Sequence, residues 1–451
     1  MAEVKTPVYE MIENLLNAKK YASLRDLLTT LNPSDIAAVF LDLPEQSLPL
    51  LFRLLPKELA AETFVEMDED AQEILIRGFS DRELNDVVNE LYVDDAVDLV
   101  EEMPATVVRR ILKQATPELR KTINEILQYP EDSAGSIMTT EYVYLRPHLT
   151  VAQSLDLIRK NGIDKETIYT CYVLTTDRKL IGIVSARSLL LAQPDVLISD
   201  IMEENVISVQ TTTDQEQVAL MFNKYNFLAI PVVDAEGRMV GIVTVDDAMD
   251  VMQEETTEDI EKMAAILPSE RPYLKTGIFA TFKQRIPWLL ILMISATFTG
   301  MIITSFEKAL AAQVVLTAFI PMLMDTGGNS GSQASVTIIR GLSLNEIEFK
   351  DLPRVIWKEF RVGILCGVVL AAANFLRLLL FNRIELPVAL VICLTLVIVV
   401  VLAKLVGCSL PMFAKKLKLD PAVMASPFIT TIVDALSLLL YFEIASSLLK
   451  L

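Results

Sequence analysis

Hydrophobic positions along this chain change period twice. Between residues 8 and 130 they fall in short stretches cut by Pro33, Pro44, Pro56, Pro104 and Pro117. Such stretches predict short amphipathic helices. The recurrent endings LDLP (closing at Pro44), RLLP (Pro56) and EEMP (Pro104) mark helix stops. Repetition of one such unit reads as an all-α superhelix. Between residues 138 and 250 the pattern shortens to brief apolar runs bounded by polar turns, and it occurs twice. From residue 286 onward the runs lengthen until they are almost unbroken.

The doubled segment aligns on several landmarks. Copy one carries MTT from Met138, TVAQSL from Thr150, CYVLTTD from Cys171 and LIGIVS from Leu180. Copy two carries MEE from Met202, TDQEQV from Thr213, IPVVD from Ile230 and MVGIVT from Met239. Each copy predicts strand, helix, strand, turn, strand, helix. A further helix is expected over 247–268, leading into the first apolar run.

Five apolar runs follow, at 286–306, 309–339, 362–381, 386–411 and 421–442. Each approaches the roughly 20 residues that cross a bilayer. Five in series leave no amphipathic cover for a soluble core. Basic residues fall mostly on one set of loops: Arg271, Lys275, Lys283 and Arg285, then Arg340, Lys350, Arg354, Lys358 and Arg361, then Lys415, Lys416 and Lys418. The opposite loops offer little beyond Lys308 and Arg383. Positive charge marks the cytoplasmic side, so the N-terminal half is expected in the cytoplasm and the C-terminus on the outer side of the cell membrane. The first residues, MAEVKTPVYEMIENLL, carry no apolar stretch of the kind that heads a secretory signal.

Charge sharpens the contrast between the halves. Residues 271–451 hold 17 Lys+Arg against 10 Asp+Glu, which leaves 23 against 49 of the totals 40 and 59 for residues 1–270. The net is +7 for the apolar part and −26 for the rest. An acidic half of this kind makes nucleic-acid binding an unsuitable function, because phosphate contacts need a basic face. The cysteines, Cys171, Cys366, Cys393 and Cys408, form no CxxC pair, so no disulfide framework or zinc site is implied.

Polar groups inside the apolar runs are the first functional candidates, because desolvating them is costly. Asp325 and Asn329 lie in PMLMDTGGNSGSQAS, from Pro321 to Ser335, a segment rich in Gly, Ser and Ala. They are expected either to line a polar path or to cap a helix break. The D-T-G at Asp325 also matches aspartic proteases, but that chemistry needs two carboxylates sharing a proton in a β-rich fold. A dyad of Asp325 with Asp434 would make an intramembrane aspartyl protease, and two buried carboxylates would equally serve a proton-coupled transporter of another solute. Asp434 lies in the middle of the last run, with Thr430 one helical turn earlier. A carboxylate with hydroxyl and carbonyl oxygens suits a hard cation. Asp420 stands at the entrance to the same run. In the acidic half, carboxylates cluster at Asp94, Asp95, Asp98, Glu101 and Glu102, and again from Asp246 to Glu261.

The marks PMLMDTGGNSGSQAS at 321–335 and DPAVMASPFITTIVD at 420–434, with the doubled segment, resemble the MgtE family of magnesium channels and transporters over essentially the whole chain. The doubled segment by itself resembles a tandem of CBS domains. The resemblance implies a helical N domain at 1–131, tandem CBS domains at 132–250, a connecting plug helix at 251–272 and a five-helix transmembrane domain at 273–451. It implies a homodimer in the lipid membrane, no enzyme, that passes Mg2+ inward and closes when cytoplasmic Mg2+ is high. Asp434 would be the pore carboxylate, with Thr430 and Asp420 on the conduction path. Regulatory Mg2+ would be held by Glu62, Asp94, Asp98, Asp214, Glu216, Asp247, Asp250, Glu255, Glu258 and Asp259. ATP would bind the CBS pair near Ser185, Arg187 and Ser188, where copy one has Ser188 in place of the usual Asp. The family often has glycine at the positions of Ser426 and Ser437, which bears on packing around the pore.

Overall fold

The computed structural model describes residues 7–269, 273–382, 384–424 and 426–449; Arg271 and Arg383, counted above among the loop charges, lie outside them. The chain divides after Met252 into two compact units.

The first unit begins with short helices from Pro7–Asn17 to Pro117–Ile126. The prolines stand at their joints. Pro33 and Pro117 occupy first turns, where the missing N–H costs nothing, and Pro44, Pro56 and Pro104 immediately precede the next helix. Side-chain caps sharpen other starts. Asp68 accepts from Ala71 N at 2.9 Å, and Ser80 with Glu83 forms a reciprocal capping box. One of these helices, α1 (Val93–Glu102), buries Val93, Ala96, Val97, Leu99 and Val100 and carries the acids Asp94, Asp95 and Asp98.

Each repeat then builds a three-stranded sheet. In copy one, β1 (Tyr142–Leu145) runs parallel to β2 (Thr167–Leu174), which is antiparallel to β3 (Leu180–Ser185). In copy two, β4 (Val209–Gln210), β5 (Ala229–Val233) and β6 (Met239–Thr244) repeat the order. The helices α2 (Val151–Asn161), α3 (Ala186–Leu191), α4 (Gln215–Tyr225) and α5 (Val245–Met263) follow the expected alternation. The start of each copy crosses to the other: Thr139 bridges Ile242 of β6, and Glu203 bridges Ile183 of β3. One hydrophobic core joins the helical segment to copy two, from Phe40, Phe64 and Leu75 through Val97 to Ile230, Val243 and Val251.

The second unit is helical. It contains α6 (Ile278–Ser305), α7 (Ile320–Ser343), α8 (Leu352–Arg377), α9 (Leu386–Lys416) and α10 (Ser426–Leu449). Among the described residues four segments are long and apolar enough to cross a membrane: Ile278–Ser305, Phe349–Phe381, Leu386–Lys416 and Pro421–Leu449. The expected run at 309–339 is not a single span. It breaks into Glu307–Ala312, a 3-10 turn at Val314–Phe319 and then α7, which starts where Pro321 can occupy a first turn. Gly and Ser dilute the hydrophobicity of α7 below that of the other four. The helix-break reading of Asp325 and Asn329 is also overturned, since α7 continues unbroken from Ile320 to Ser343.

Helix α9 is the centre of this unit. Its Val388, Ile392, Leu396 and Val400 lie in the core of this unit, and its Ala403 is buried with Ile429 and Val433 of α10. The helix α7 inserts between α9 and α10 because its inward face is made of small residues. A Cβ on Gly407 of α9 would overlap the carbonyl oxygen of Gly331 on α7, so the two backbones touch directly. At the far end, Phe306 stacks on Phe442 at 4.9 Å, and the Tyr441 hydroxyl donates to the Leu316 carbonyl at 2.9 Å. The helix α6 contacts α10 but leaves much of its apolar surface open.

Candidate functional site

Asp434 sits in the middle of α10, half-buried. It faces the glycines of α7: a Cβ on Gly328 would lie 3.0 Å from Thr430 Cγ2 and 3.8 Å from Asp434 Oδ1. A side chain at 328 would therefore crowd the carboxylate and the threonine together. Gly327 makes the same kind of approach a residue earlier, where a Cβ would lie 3.0 Å from Ser437 Oγ and from Val433 Cγ1. Among the described residues the buried Ser437 hydroxyl has no hydrogen-bond partner there. Close packing at this position is thus supplied by the glycine of α7 rather than by residue 437. The Thr430 hydroxyl donates to the Pro427 carbonyl at 2.9 Å, and Thr431 donates to the same oxygen at 3.0 Å. Proline leaves the carbonyl one turn before it free, but here the carbonyl of Pro427 itself gathers two hydroxyls.

On α7, Asp325, Asn329 and Gln333 are exposed and recur every four residues, so they share one face. Asn329 Nδ2 donates to Asp325 Oδ1 at 3.1 Å, which orients that carboxylate along the helix. A polar stripe thus runs down α7 beside Thr430 and Asp434.

Asp420 does not join that group. It precedes the 3-10 turn Pro421–Met424, where Oδ1 accepts from Ala422 N at 2.8 Å. Its Oδ2 lies 2.7 Å from Lys262 Nζ on α5, and Lys262 also lies 2.7 Å from Glu258 Oε1. Asp259, on the same turn, is pushed above the ordinary carboxylate range by burial and by the charge of Asp420.

In the first unit, α1 brings its acids to the start of α5. Burial, and then the charge of Asp247, pushes Asp94 well above the usual carboxylate range. The same causes, in the same order, raise Asp95 to about 7 and Asp98 to about 8, although Asp98 keeps contact with solvent. Asp247 itself is raised to about 6 by burial, against the lowering effect of Thr244, whose hydroxyl donates to Asp247 Oδ2 at 2.5 Å. Two acids that the sequence did not single out belong here. Glu166 is raised to about 7 by burial and by Asp246, and Glu141 adds its charge to those of Asp95 and Glu166. Neither belongs to an acidic run of the sequence, so only the fold reveals them. Asp250 is raised by burial, by Asp246 and by Glu66, whereas Glu62 is exposed on its helix Lys57–Val65. Asp214 is the N-cap of α4 and accepts from Glu216 N at 3.0 Å, so its carboxylate has a structural task. Glu255 follows on α5 one turn before Asp259.

Among the described residues, no three His, Cys, Asp or Glu side chains converge tightly enough to hold a metal ion directly. The acids around α1 instead form a loose, partly desolvated set. That arrangement fits a hydrated Mg2+, which keeps several of its waters and touches few carboxylates. In copy one, Ser185 caps α3 by accepting from Ser188 N at 3.0 Å, and its hydroxyl lies 2.8 Å from that of Ser188.

Comparison with known proteins fits these features. Residues 320–444 match the family described as "Divalent cation transporter", residues 31–132 match "MgtE intracellular N domain", and residues 134–195 and 198–254 match CBS domains. A Thermus thermophilus protein named magnesium transporter MgtE is 36% identical over 436 residues, covering 95% of each chain. The chain belongs to the MgtE family. The Bacillus subtilis MgtE is 33% identical over 433 residues, covering 96% of this chain and 95% of its own. The solved cytosolic domain of the Mg2+ channel MgtE, in complex with ATP, is 35% identical, with a TM-score of 0.52 over 54% of this chain and 99% of that one. A helical N domain, paired CBS domains and a C-terminal region of apolar helices are thus the architecture of this MgtE family member.

Proposed function

We propose that the protein is a magnesium-selective channel or transporter. It carries Mg2+ into the cell down the electrochemical gradient, and cytoplasmic Mg2+ closes it. The observation that carries this reading is Asp434, held half-open in the middle of an apolar helix beside the glycine face of α7. Magnesium sheds water reluctantly and favours a carboxylate plus retained waters. Two copies joined as a homodimer, with Asp434 of each facing a shared axis, hold a hydrated ion without stripping it. Thr430 and the stripe of Asp325 and Asn329 supply further oxygen on the path, and α7 serves as the fifth span. A divalent ion moving with the membrane potential gains about 4.6 kcal/mol per 100 mV, so uptake needs no motor.

The acids around α1, with Asp247 and Asp250, act as the sensor, and Glu255, Glu258 and Asp259 extend it along the plug helix α5. Bound Mg2+ screens their repulsion and favours the compact, closed form; when Mg2+ falls, the carboxylates repel and the form loosens. ATP, the ligand of the solved relative, is assigned to the CBS pair beside Ser185, Arg187 and Ser188. The N-terminal half lies in the cytoplasm and the C-terminus outside.

The test is Mg2+ flux into proteoliposomes carrying wild type or Asp434→Ala, with Mg2+ varied on the side of the N domain. The expected result is flux in wild type, shut off by high Mg2+ on that side and lost in the variant. Absence of flux in wild type at low Mg2+ overturns the transport reading; flux that needs a proton gradient replaces it with proton coupling; flux that survives in Asp434→Ala removes Asp434 from the pore.

A further inference from the structure

The helix α8 has two unlike faces. Its inner face is built of Gly363, Gly367, Ala371 and Asn374, all buried. A Cβ on Gly363 would lie 3.0 Å from Val401 Cα of α9, and one on Gly367 would lie 3.0 Å from Val397 Cα. The two helices therefore meet backbone to backbone there. The outer face is exposed. It begins with Trp357, Lys358 and Arg361 and continues, one and two turns after Arg361, through Leu365 and Val369. Trp357 is 57% exposed, and Leu365 and Val369 are each 68% exposed. The basic head of this face is already ordered. Arg361 Nε donates to the Trp357 carbonyl at 3.3 Å, and the guanidinium carbon lies 5.5 Å from the centre of the indole ring. That ring stacks on Phe360 at 5.8 Å.

The chain does not neutralise the cations of this head. Arg354, one turn earlier, is taken by Asp351 at 3.2 Å. Glu359 is the only acid in α8, and it faces inward, 4.0 Å from Lys404 of α9. Among the described residues neither Lys358 nor Arg361 pairs with a carboxylate. An indole between a basic turn and an apolar stripe is the pattern of a helix crossing a membrane interface. A second copy of the chain is a poor occupant of this face. A two-fold contact would set the face against itself and oppose like charges, with no acid to separate them. A zwitterionic lipid carries its own cation beside the phosphate, which weakens the match. An anionic phospholipid fits both parts, because Arg361 offers its phosphate a fork of N–H donors and the stripe accepts a chain. We propose that the outer face of α8 binds an anionic phospholipid: Lys358 and Arg361 hold the headgroup, Trp357 flanks the glycerol, and an acyl chain lies along Leu365 and Val369. The site requires that α8 span the membrane and does not depend on which ion the protein passes.

The chain has two tryptophans, Trp288 and Trp357, so the full chain with Trp288→Phe reports from Trp357 alone. It is reconstituted in dioleoylphosphatidylcholine vesicles in which a minor fraction of the lipid, either phosphatidylglycerol or phosphatidylcholine, is brominated on its chains close to the glycerol. Bromine quenches an indole that it touches, so titrating each brominated lipid gives its relative affinity for the site. Each of the two cations should contribute about fivefold to the preference for phosphatidylglycerol, the size of one Lys or Arg at an anionic surface. Lys358→Gln and Arg361→Gln should each lower the preference by that factor, and the double variant should be quenched equally by both lipids. Arg361→Lys should retain most of it, and Lys283→Gln, on α6, should leave it unchanged. Native mass spectrometry of the chain with both tryptophans, offered equal amounts of the two lipids, should show the same preference and its loss in the double variant. That readout decides the matter even where Trp288→Phe prevents folding. The proposal is overturned when both brominated lipids quench the parent equally, or when Lys283→Gln costs as much as Arg361→Gln, the mark of general surface charge. It is equally overturned when neither lipid quenches Trp357, the mark of a second copy seated on this face.

Discussion

Magnesium binding to the acidic face of α1 should expel protons at neutral pH, and the structure sets how many. Asp95 and Glu166 stand at about 7, Asp98 at about 8 and Asp247 at about 6. At pH 7 the first two are therefore half protonated, the third mostly protonated and the fourth mostly ionised. Together these four hold about two protons, where ordinary carboxyls would hold almost none, and Asp94, pushed well above the usual range, adds to that count. The sign follows from linkage. These groups keep protons in the folded state that the unfolded chain has released, so without metal the stability of this unit falls as pH rises from about 4 through about 8. A bound dication favours the ionised forms and cancels that loss. These four groups should then raise its apparent affinity by about a hundredfold per pH unit near pH 7, with Asp94 adding to the dependence and solvent screening of Asp98 reducing it. The assay is calorimetric titration of the protein with MgCl2 in two buffers of different ionisation heat, which counts the protons. At least two should be released per chain at pH 7 and fewer at pH 9. Asp98→Asn with Glu166→Gln should reduce the pH 7 count by more than one. Magnesium binding at pH 7 with no proton release, or release untouched by the double substitution, would refute the reasoning.

Two further outcomes test the membrane unit. Gly407→Ala places a methyl group against the Gly331 carbonyl and should cost about 1–3 kcal/mol through forced separation of α7 and α9; an unchanged melting temperature in detergent would contradict the backbone contact. Lys404 Nζ and Glu359 Oε2 lie 4.0 Å apart with both side chains largely buried, so Lys404→Met alone should destabilise by about 3–5 kcal/mol, while Lys404→Met with Glu359→Gln should recover most of that. Denaturant melts of the three proteins decide it, and a double variant as unstable as the single one would show that the pair is not coupled.

Much of the candidate site was legible in the chain because its signals are local. An isolated Asp in an apolar run, such as Asp434, is conspicuous because the bilayer makes such a residue costly. The acids of α1 and α5 stand out by spacing, and the two CBS copies align by their own landmarks. Other features were not legible. Asp420 reads as a member of the conduction path, yet it is occupied by Lys262 and by its own turn. Asp214 reads as an ion ligand and is a helix cap. Glu141 and Glu166 carry no local signal, since each is an ordinary acid near a strand until the chain folds it against α1. The second apolar run reads as one span, but Pro321 begins a new helix within it.

The residue order by itself determined most of the helices, strands and apolar spans, the run at 309–339 excepted, because those depend on period, proline placement and charge over ten to twenty neighbouring residues. It also determined that half of the molecule is strongly acidic. Only the tertiary structure decided which charges meet. Whether a carboxylate has a lysine, a capped amide or another carboxylate as its neighbour depends on contacts between residues far apart in the chain, such as Lys262 with Asp420. Electrostatic energy falls with distance and burial rather than with sequence separation, so pairing, proton affinity and accessibility belong to the fold.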